Sequence, residues 1–440
     1  MPAQSAAPRG QTLLAGPGDA GTREVTSMSG KLLRDAVHGD IELEPLEVEL
    51  VDTPEFQRLR GIKQLGTACL VYPSATHTRF EHCLGTSWMA RRMIEALRRT
   101  CSIAADEATA IRLAALLHDI THIPYGHTLE DERRILPRHD KDEARFDYFL
   151  RQSSLGLRLR NSGFQEEVLR ILRGEAGFAS EIVSGAITAD LLDYLRRDTY
   201  FVGFSQYYDA RVFQSFMVED GRFAVNLEKH GMLRHDALSE LINLLRIRYT
   251  LSERVYFHHT KIASGAMISK AVELAIQAGL MLEDLRRLKD DTLIWMLRER
   301  YGAHPGVTHI LDSLESRQLY RSCFVLASEV GEARQEEIVD RFHYDAGNCE
   351  ELETQIAGAA GLQPYQVIAY CPSKGMSLPE AEVLVRRENG RILPLSDGNN
   401  EEIRILKQKH KALWKFCILL DRSAWRRHEQ VRNAALKFLR

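Results

Sequence analysis

The densest chemistry in the sequence is His118-Asp119-Ile120-Thr121-His122-Ile123-Pro124-Tyr125-Gly126-His127, three histidines and an aspartate within ten residues. An adjacent His-Asp at the end of a buried helix is expensive, because an ionised carboxylate loses hydration there unless a cation or hydrogen bonds compensate. A divalent ion compensates both groups. Neutral imidazole nitrogen with carboxylate oxygen suits Mn, Fe, Zn or Mg without choosing among them. An isolated His-Asp is most often a capped helix end. Here His122 stands one helical turn after His118, and His127 follows a Pro-Tyr-Gly turn that can fold it back over the site. The cluster therefore reads as a metal site. A second group, Asp190, Tyr194 and Asp198, recurs every four residues and so forms one stripe of one helix.

The elements that must hold these residues follow from the apolar periodicity. Helical spacing runs over 79–99 and 105–119, after which Pro124 and Gly126 force a loop. It resumes over 141–150, 165–173, 181–198 and 235–278. Asp52-Thr53-Pro54 predicts an N-cap with proline in the first turn, followed by Phe56, Leu59 and Ile62 at helical spacing. Asp220-Gly221, between β-prone runs over 216–227, predicts a hairpin. From about residue 319 the texture changes. Strands are expected over 320–327, 366–370, 381–387, 391–395 and 414–420, interleaved with helices over 334–340 and 400–410. The predicted fold class is mainly α: a disordered tail over 1–28, a helical domain over 29–318 and a smaller α+β domain over 319–440.

Composition narrows the class. With 440 residues, 44% hydrophobic and 27% charged, the chain has the profile of an ordinary globular protein. A net charge of -3 gives no global nucleic-acid footprint. The seven cysteines form no CxxC pair, so neither a disulfide framework nor a zinc ribbon is expected. No apolar run approaches the roughly 18 residues of a spanning helix, and the N-terminus lacks a secretory core, so the expected location is the cytoplasm with no membrane partner.

Thr78-Arg79-Phe80-Glu81-His82-Cys83-Leu84-Gly85, together with His118-Asp119, resembles the HD-domain phosphohydrolases, and within them the dNTP triphosphohydrolase branch. The resemblance implies a divalent metal held by His82, His118, Asp119 and Asp190, with Arg79 as a phosphate contact. His77 competes with His82 but precedes the helix. Asp193 replaces Asp190 as ligand if that helix is rotated; the preferred reading of Asp193 with Arg197 is an i,i+4 surface pair. The run DTPEFQRLRGIKQLG over 52–66 is similar to vertebrate SAM-and-HD-domain members of the branch. By that similarity Gln64 and Leu65 read the sugar edge, Tyr194 and Asp198 face the nucleotide, Arg248 contacts phosphate and Tyr256 stacks on the sugar. His139 matches a further active-site histidine and Glu130 an acidic residue. His127 is taken as proton donor to the departing triphosphate, supported by His122 and His139.

Lys31, Asp35, Asp52, Gln57 and Arg60 match residues that bind a guanine activator nucleotide between subunits. This implies a dimer or tetramer activated by dGTP or GTP. The competing reading is that Asp52 caps a helix and Arg58 and Arg60 pair with acidic neighbours. The matches run from about residue 31 to 261, roughly half the chain. Leu191 departs from them, standing where vertebrate members have a lysine on the triphosphate, and Thr121 replaces a glycine. The expected activity is metal-dependent cleavage of a dNTP to deoxynucleoside and triphosphate. Two alternatives stay open: an HD phosphohydrolase for another nucleotide or phosphate ester, and a nucleic-acid-binding regulatory protein with a weak site. Basic residues such as Arg426, Arg427 and Arg432 read as a solvated helix face rather than a binding surface.

Overall fold

A computed structural model describes residues 30–373 and 376–439; the tail expected over 1–28 lies outside the described residues. The fold is mainly α with a smaller α+β region towards the C-terminus.

Five of the helices in the helical part frame the site. Helix α1 (Arg79–Leu97) begins at a capping box, in which the Glu81 carboxylate accepts the Thr78 amide at 2.7 Å. Helix α2 (Ala105–Leu117) is buried along most of its circumference and packs against α1. Helix α3 (Ala189–Val202) packs on the other side of α1 and stops at Gly203, whose left-handed φ of 79° ends it. Helices α4 (His235–Leu251) and α5 (His259–Gln277) follow. The 181–198 helix read from the sequence is in fact two, Phe178–Ser184 and α3, because Gly185 leaves helical geometry and Thr188 starts a new helix by accepting the Leu191 amide at 2.9 Å. Asp190 thereby lies in a first turn. The 235–278 helix is likewise interrupted by a π-helical turn, Ser252–Tyr256, before His258 caps α5. The 52–63 helix shrinks to Pro54–Gln57 and a 3-10 turn, with Thr53 as the cap.

A short hairpin, β1 (Lys31–Asp35) with β2 (Gly39–Leu43), precedes the helices. The Asp220-Gly221 hairpin forms as expected: β3 (Phe216–Glu219) and β4 (Arg222–Asn226) meet at residues with φ of 49° and 74°, the conformation a two-residue turn requires.

The C-terminal region supplies β5 (Arg321–Ala327), α6 (Ala346–Ala360), β6 (Val367–Tyr370), β7 (Leu384–Arg386), β8 (Ile392–Pro394), α7 (Glu401–Lys411), β9 (Lys415–Leu420) and α8 (His428–Phe438). Strands β5, β9 and β6 form an antiparallel sheet in that order. Alternation sends Val367 and Ala369 into a core beneath α6 and α8, and Ile368 and Tyr370 into a second core shared with α5. The segment 378–411 returns to the helical part. Strand β7 pairs in parallel with β4 (Val225 opposite Val385), and Leu378, Val383, Ile403 and Leu406 join the core around α1 and α2. This return carries C-terminal side chains to the site.

Candidate metal centre and nucleotide cavity

Three element ends meet at one point. His82 projects from the first turn of α1, His118 caps the end of α2, and Asp190 opens α3. His82 Nε2 lies 3.2 Å from His118 Nε2 and 3.0 Å from Asp190 Oδ1. His118 Nε2 is 3.7 Å from Asp190 Oδ1 and 3.5 Å from Asp119 Oδ1. His118 Nδ1 lies 2.8 Å from the Ala115 carbonyl, which can only accept, so that nitrogen carries the proton and Nε2 presents a lone pair. Two imidazole Nε2 atoms this close, ringed by carboxylates, need positive charge between them. The donor set fits a divalent ion. Burial pushes the His82 pKa down, but hydrogen bonds to Asp190 and Asp193 outweigh it and hold it at about 10. Asp119 is buried, which raises its carboxyl pKa, yet Arg79 and the neighbouring histidines hold it well below the usual range. Arg79 is itself buried and ion-paired to Asp119 Oδ2, so its expected phosphate role is shared with holding the carboxylate.

Asp193 and Arg197 are not a surface pair. Both are fully buried, and Asp193 faces His82 from behind. Asp193 Oδ2 lies 2.7 Å from His82 Nδ1, Oδ1 lies 2.6 Å from His38 Nε2, and Arg197 donates to both oxygens at 2.9 Å. Arg197 also donates to Asp35 at 2.8 Å, and Asp35 accepts the Val37 and His38 amides of the β1–β2 turn. This network fixes the His82 ring with Nε2 towards Asp190, the arrangement that orients a metal-binding imidazole. Gly85 makes room for it: a Cβ there would overlap Asp193 Oδ1 and Arg197 Nη2.

Beyond Asp119 the loop folds into a second cluster. Glu130 is buried, with Oε2 at 3.2 Å from His127 Nδ1 and 3.1 Å from His139 Nδ1, and Oε1 at 2.9 Å from Arg145 Nη1. His122 stacks on His139 with ring centroids 3.7 Å apart, and its Nε2 is 3.2 Å from Asp119 Oδ1. Burial and the Arg79 charge push the His122 pKa well below its ordinary value, so this ring is neutral. Tyr125 and Gly126 both adopt left-handed φ, 60° and 55°, and a Cβ on Gly126 would lie 2.6 Å from Arg79 Nη2. Asp290, unmarked in the sequence, holds the loop by accepting the Tyr125 amide at 2.7 Å and the Lys63 amide at 3.0 Å.

Both clusters open on a cavity of about 650 Å³, within the usual range for small-molecule sites. Gln64, Leu65, Leu191, Tyr194, Asp198, Arg248 and Tyr256 line it. The Gln64 Oε1 atom is buried without a hydrogen-bond partner among the described residues. The Arg248 guanidinium sits 5.4 Å from the Tyr194 ring and 5.0 Å from that of Tyr256. Tyr256 donates to Asp198 at 2.6 Å, and Asp198 holds His77 at 2.8 Å, which keeps His77 out of the ligand cluster. Glu380 and His410, from the C-terminal region, complete the wall. Away from the cavity, Lys31 pairs with Asp52 at 2.8 Å, and Arg60 bonds Gln57 at 2.8 Å. Asp35 is turned inward to Arg197 instead. Among the described residues Arg58 forms no ion pair with an acid; it is buried against the Phe149 ring and donates to the Ile120 carbonyl at 2.9 Å.

Residues 79–198 match an HD domain and residues 225–440 an HD-associated region. An uncharacterized protein of Methanocaldococcus jannaschii is 32% identical over 300 residues, covering 66% of this chain and 59% of its own. The deoxynucleoside triphosphate triphosphohydrolase SAMHD1 of Mus musculus is 27% identical over 353 residues, covering 66% of this chain and 53% of its own. The chain thus spans little more than half the length of these relatives. A solved phosphohydrolase from Bacteroides thetaiotaomicron superposes with a TM-score of 0.69 at 25% identity, covering 89% of this chain and 100% of that one. Among the described residues no helix is long and apolar enough to cross a membrane. The chain belongs to the HD-domain phosphohydrolase family, with an HD-associated region following its HD domain.

Proposed function

We propose that this protein is a metal-dependent deoxynucleoside triphosphate triphosphohydrolase, with His82, His118, Asp119 and Asp190 as its metal ligands. The observation that carries this reading is the convergence of His82, His118 and Asp190, of which His118 and Asp190 line a cavity whose wall also offers Arg248, Tyr194, Tyr256 and Gln64. When bound, the ion acidifies a water and offsets phosphate charge. Arg248 and Arg79 hold the polyphosphate, Tyr256 and Tyr194 pack on the sugar, and Gln64 with Leu65 reads its edge. Asp198 fixes the Tyr256 hydroxyl. His127, on the cavity wall with Nδ1 against Glu130, supplies the proton. Bond balance corrects where that proton goes. Water attack on the α-phosphorus breaks the bond to O5′, so the leaving group is the 5′-oxygen of the deoxynucleoside. The triphosphate keeps the water oxygen. His127 therefore protonates the nucleoside, not the triphosphate, and the water's proton recharges the cluster formed by His122, His139 and Glu130.

The test is to strip the purified protein of metal and incubate it with each dNTP and NTP in Mn, Mg, Fe or Zn. Deoxynucleoside plus inorganic triphosphate supports the reading. Monophosphate plus pyrophosphate, or turnover without metal, overturns it. A second reading, an HD phosphohydrolase for another nucleotide or phosphate ester, is favoured by Leu191, an apolar side chain on the cavity wall. Faster turnover of nucleoside monophosphates than of dNTPs would select it.

The proposal extends to a cytoplasmic homo-oligomer, dimer or tetramer, with dGTP or GTP as activator at Lys31, Asp35, Asp52, Gln57 and Arg60. In support, Lys31 and Asp52 are exposed, and Asp35 leads through Arg197 and Asp193 to His82. dTTP hydrolysis that ignores added dGTP refutes this part. The division at residue 319 belongs to the same reading, with 378–411 completing the cavity wall.

A further inference from the structure

Glu380 reaches the cavity from outside the HD domain, on the 3-10 turn Pro379–Glu382. It is only 4% exposed, and its Oε1 lies 3.2 Å from Arg248 Nε. The contact is poorly aligned: among the described residues Arg248 Nε and Glu380 Oε2 are both buried without a well-aligned hydrogen-bond partner. Burial raises the Glu380 carboxyl pKa, and the Arg248 charge, with weaker hydrogen bonding from Arg248 and Tyr194, opposes that rise. Arg248 is thus drawn to its carboxylate more by charge than by a well-aligned hydrogen bond.

The other cations on the cavity wall are also paired with carboxylates. Arg79 is paired with Asp119, Lys261 with Glu132 at 3.0 Å, and Arg138 with Asp140 at 3.2 Å and Asp131 at 3.4 Å. Leu191 adds no charge. A polyanion entering this cavity must take a cation from its carboxylate, and Arg248 is the one whose 3.2 Å contact with its carboxylate falls outside good hydrogen-bond alignment. Its acid, however, stays on the wall, buried and close to the incoming phosphates.

We infer that Glu380 is a specificity-determining residue that competes with substrate phosphate for Arg248 and penalises each additional phosphate charge. The C-terminal region thereby sets how many phosphates the HD site accepts. This rests on the reading of Arg248 as a phosphate contact.

The experiment uses the full-length, Mn-loaded protein as wild type, Glu380→Gln and Glu380→Asp. Calorimetry measures orthophosphate, pyrophosphate and tripolyphosphate binding, and steady-state assays give KM for dAMP, dADP and dATP. Glu380→Gln is expected to tighten tripolyphosphate by about 10-fold, as loss of one nearby charge predicts at an effective dielectric near 20, pyrophosphate less and orthophosphate least. KM should fall in the same order. Glu380→Asp, whose carboxylate is withdrawn by one methylene, should lie between and serves if the glutamine variant does not fold. Equal or weaker tripolyphosphate binding overturns the inference. So does an effect confined to nucleotides with inorganic phosphates unchanged, which would mean that Glu380 reads sugar or base. If the wild type cleaves no dNTP, the proposed substrate fails, while the inorganic series still decides the role of Glu380.

Discussion

Asp193→Asn removes one charge from behind His82 while keeping the side chain's volume. In the native protein the two carboxylate oxygens face four donors: His82 Nδ1 at 2.7 Å, His38 Nε2 at 2.6 Å and two Arg197 nitrogens at 2.9 Å. Asparagine offers one acceptor and one amide nitrogen, so whichever way it turns, one pair of donors meets a donor. Breaking a buried charged pair costs about 3–5 kcal/mol; because Arg197 keeps Asp35, the lower end is expected, about 3 kcal/mol of stability. Loss of a partner that orients a metal-binding histidine costs about 10–100-fold in affinity. Calorimetric titration of Mn into the stripped protein, with thermal melts confirming the fold, measures both. A folded variant that binds Mn like the wild type refutes the idea that Asp193 fixes His82. A loss as complete as that of Asp190→Ala would instead make Asp193 a ligand.

Gly85→Ala should destabilise the protein by about 1–3 kcal/mol through overpacking, since its Cβ collides with Asp193 and Arg197. A melting temperature equal to wild type would show that the network can move aside. His127→Gln should lower kcat by about 10²–10⁴-fold while Mn binding stays intact, because the ring serves as proton donor and not as ligand; calorimetry and initial rates on one preparation separate the two effects. Away from the site, the hydrogen bond to Asp421 across a 2.8 Å contact raises the His309 pKa above its ordinary value of 6.5. A raised histidine pKa gives stability that is fully present below 6.5 and lost as pH rises through the folded value. The melting-temperature gap between wild type and His309→Gln should therefore be widest near pH 6 and close towards alkaline pH; a gap that does not change with pH would contradict it.

The sequence made the local parts of the site visible. His118-Asp119 with His122 and His127 is a ten-residue pattern, and the Asp190, Tyr194, Asp198 stripe survived because α3 covers all three. The supporting network was not legible. Asp193 and Arg197 have the spacing of a surface pair, and only the packing of α3 on α1 and the β1–β2 turn buries them. Gly85 was the available signal, a residue without a side chain one turn after His82. Two helix breaks were also lost. Gly185 and Thr188 interrupt an apolar period that continues on both sides, and a π turn at Ser252–Tyr256 inserts no distinctive residue. The strands β6 and β9 were readable as short apolar runs because each is buried on both faces. Glu380 carries no motif. Its role depends on β7 pairing with β4, more than 150 residues earlier, which brings the turn before it to Arg248.

The most direct test of the metal-centred hydrolysis is turnover of a dNTP by the Mn-loaded protein in ¹⁸O-labelled water, followed by mass analysis of both products. Attack at the α-phosphorus predicts one ¹⁸O in the inorganic triphosphate, none in the deoxynucleoside, and no turnover once the ion is removed. Label in the nucleoside, or in monophosphate and pyrophosphate, or turnover that persists without metal, would contradict it.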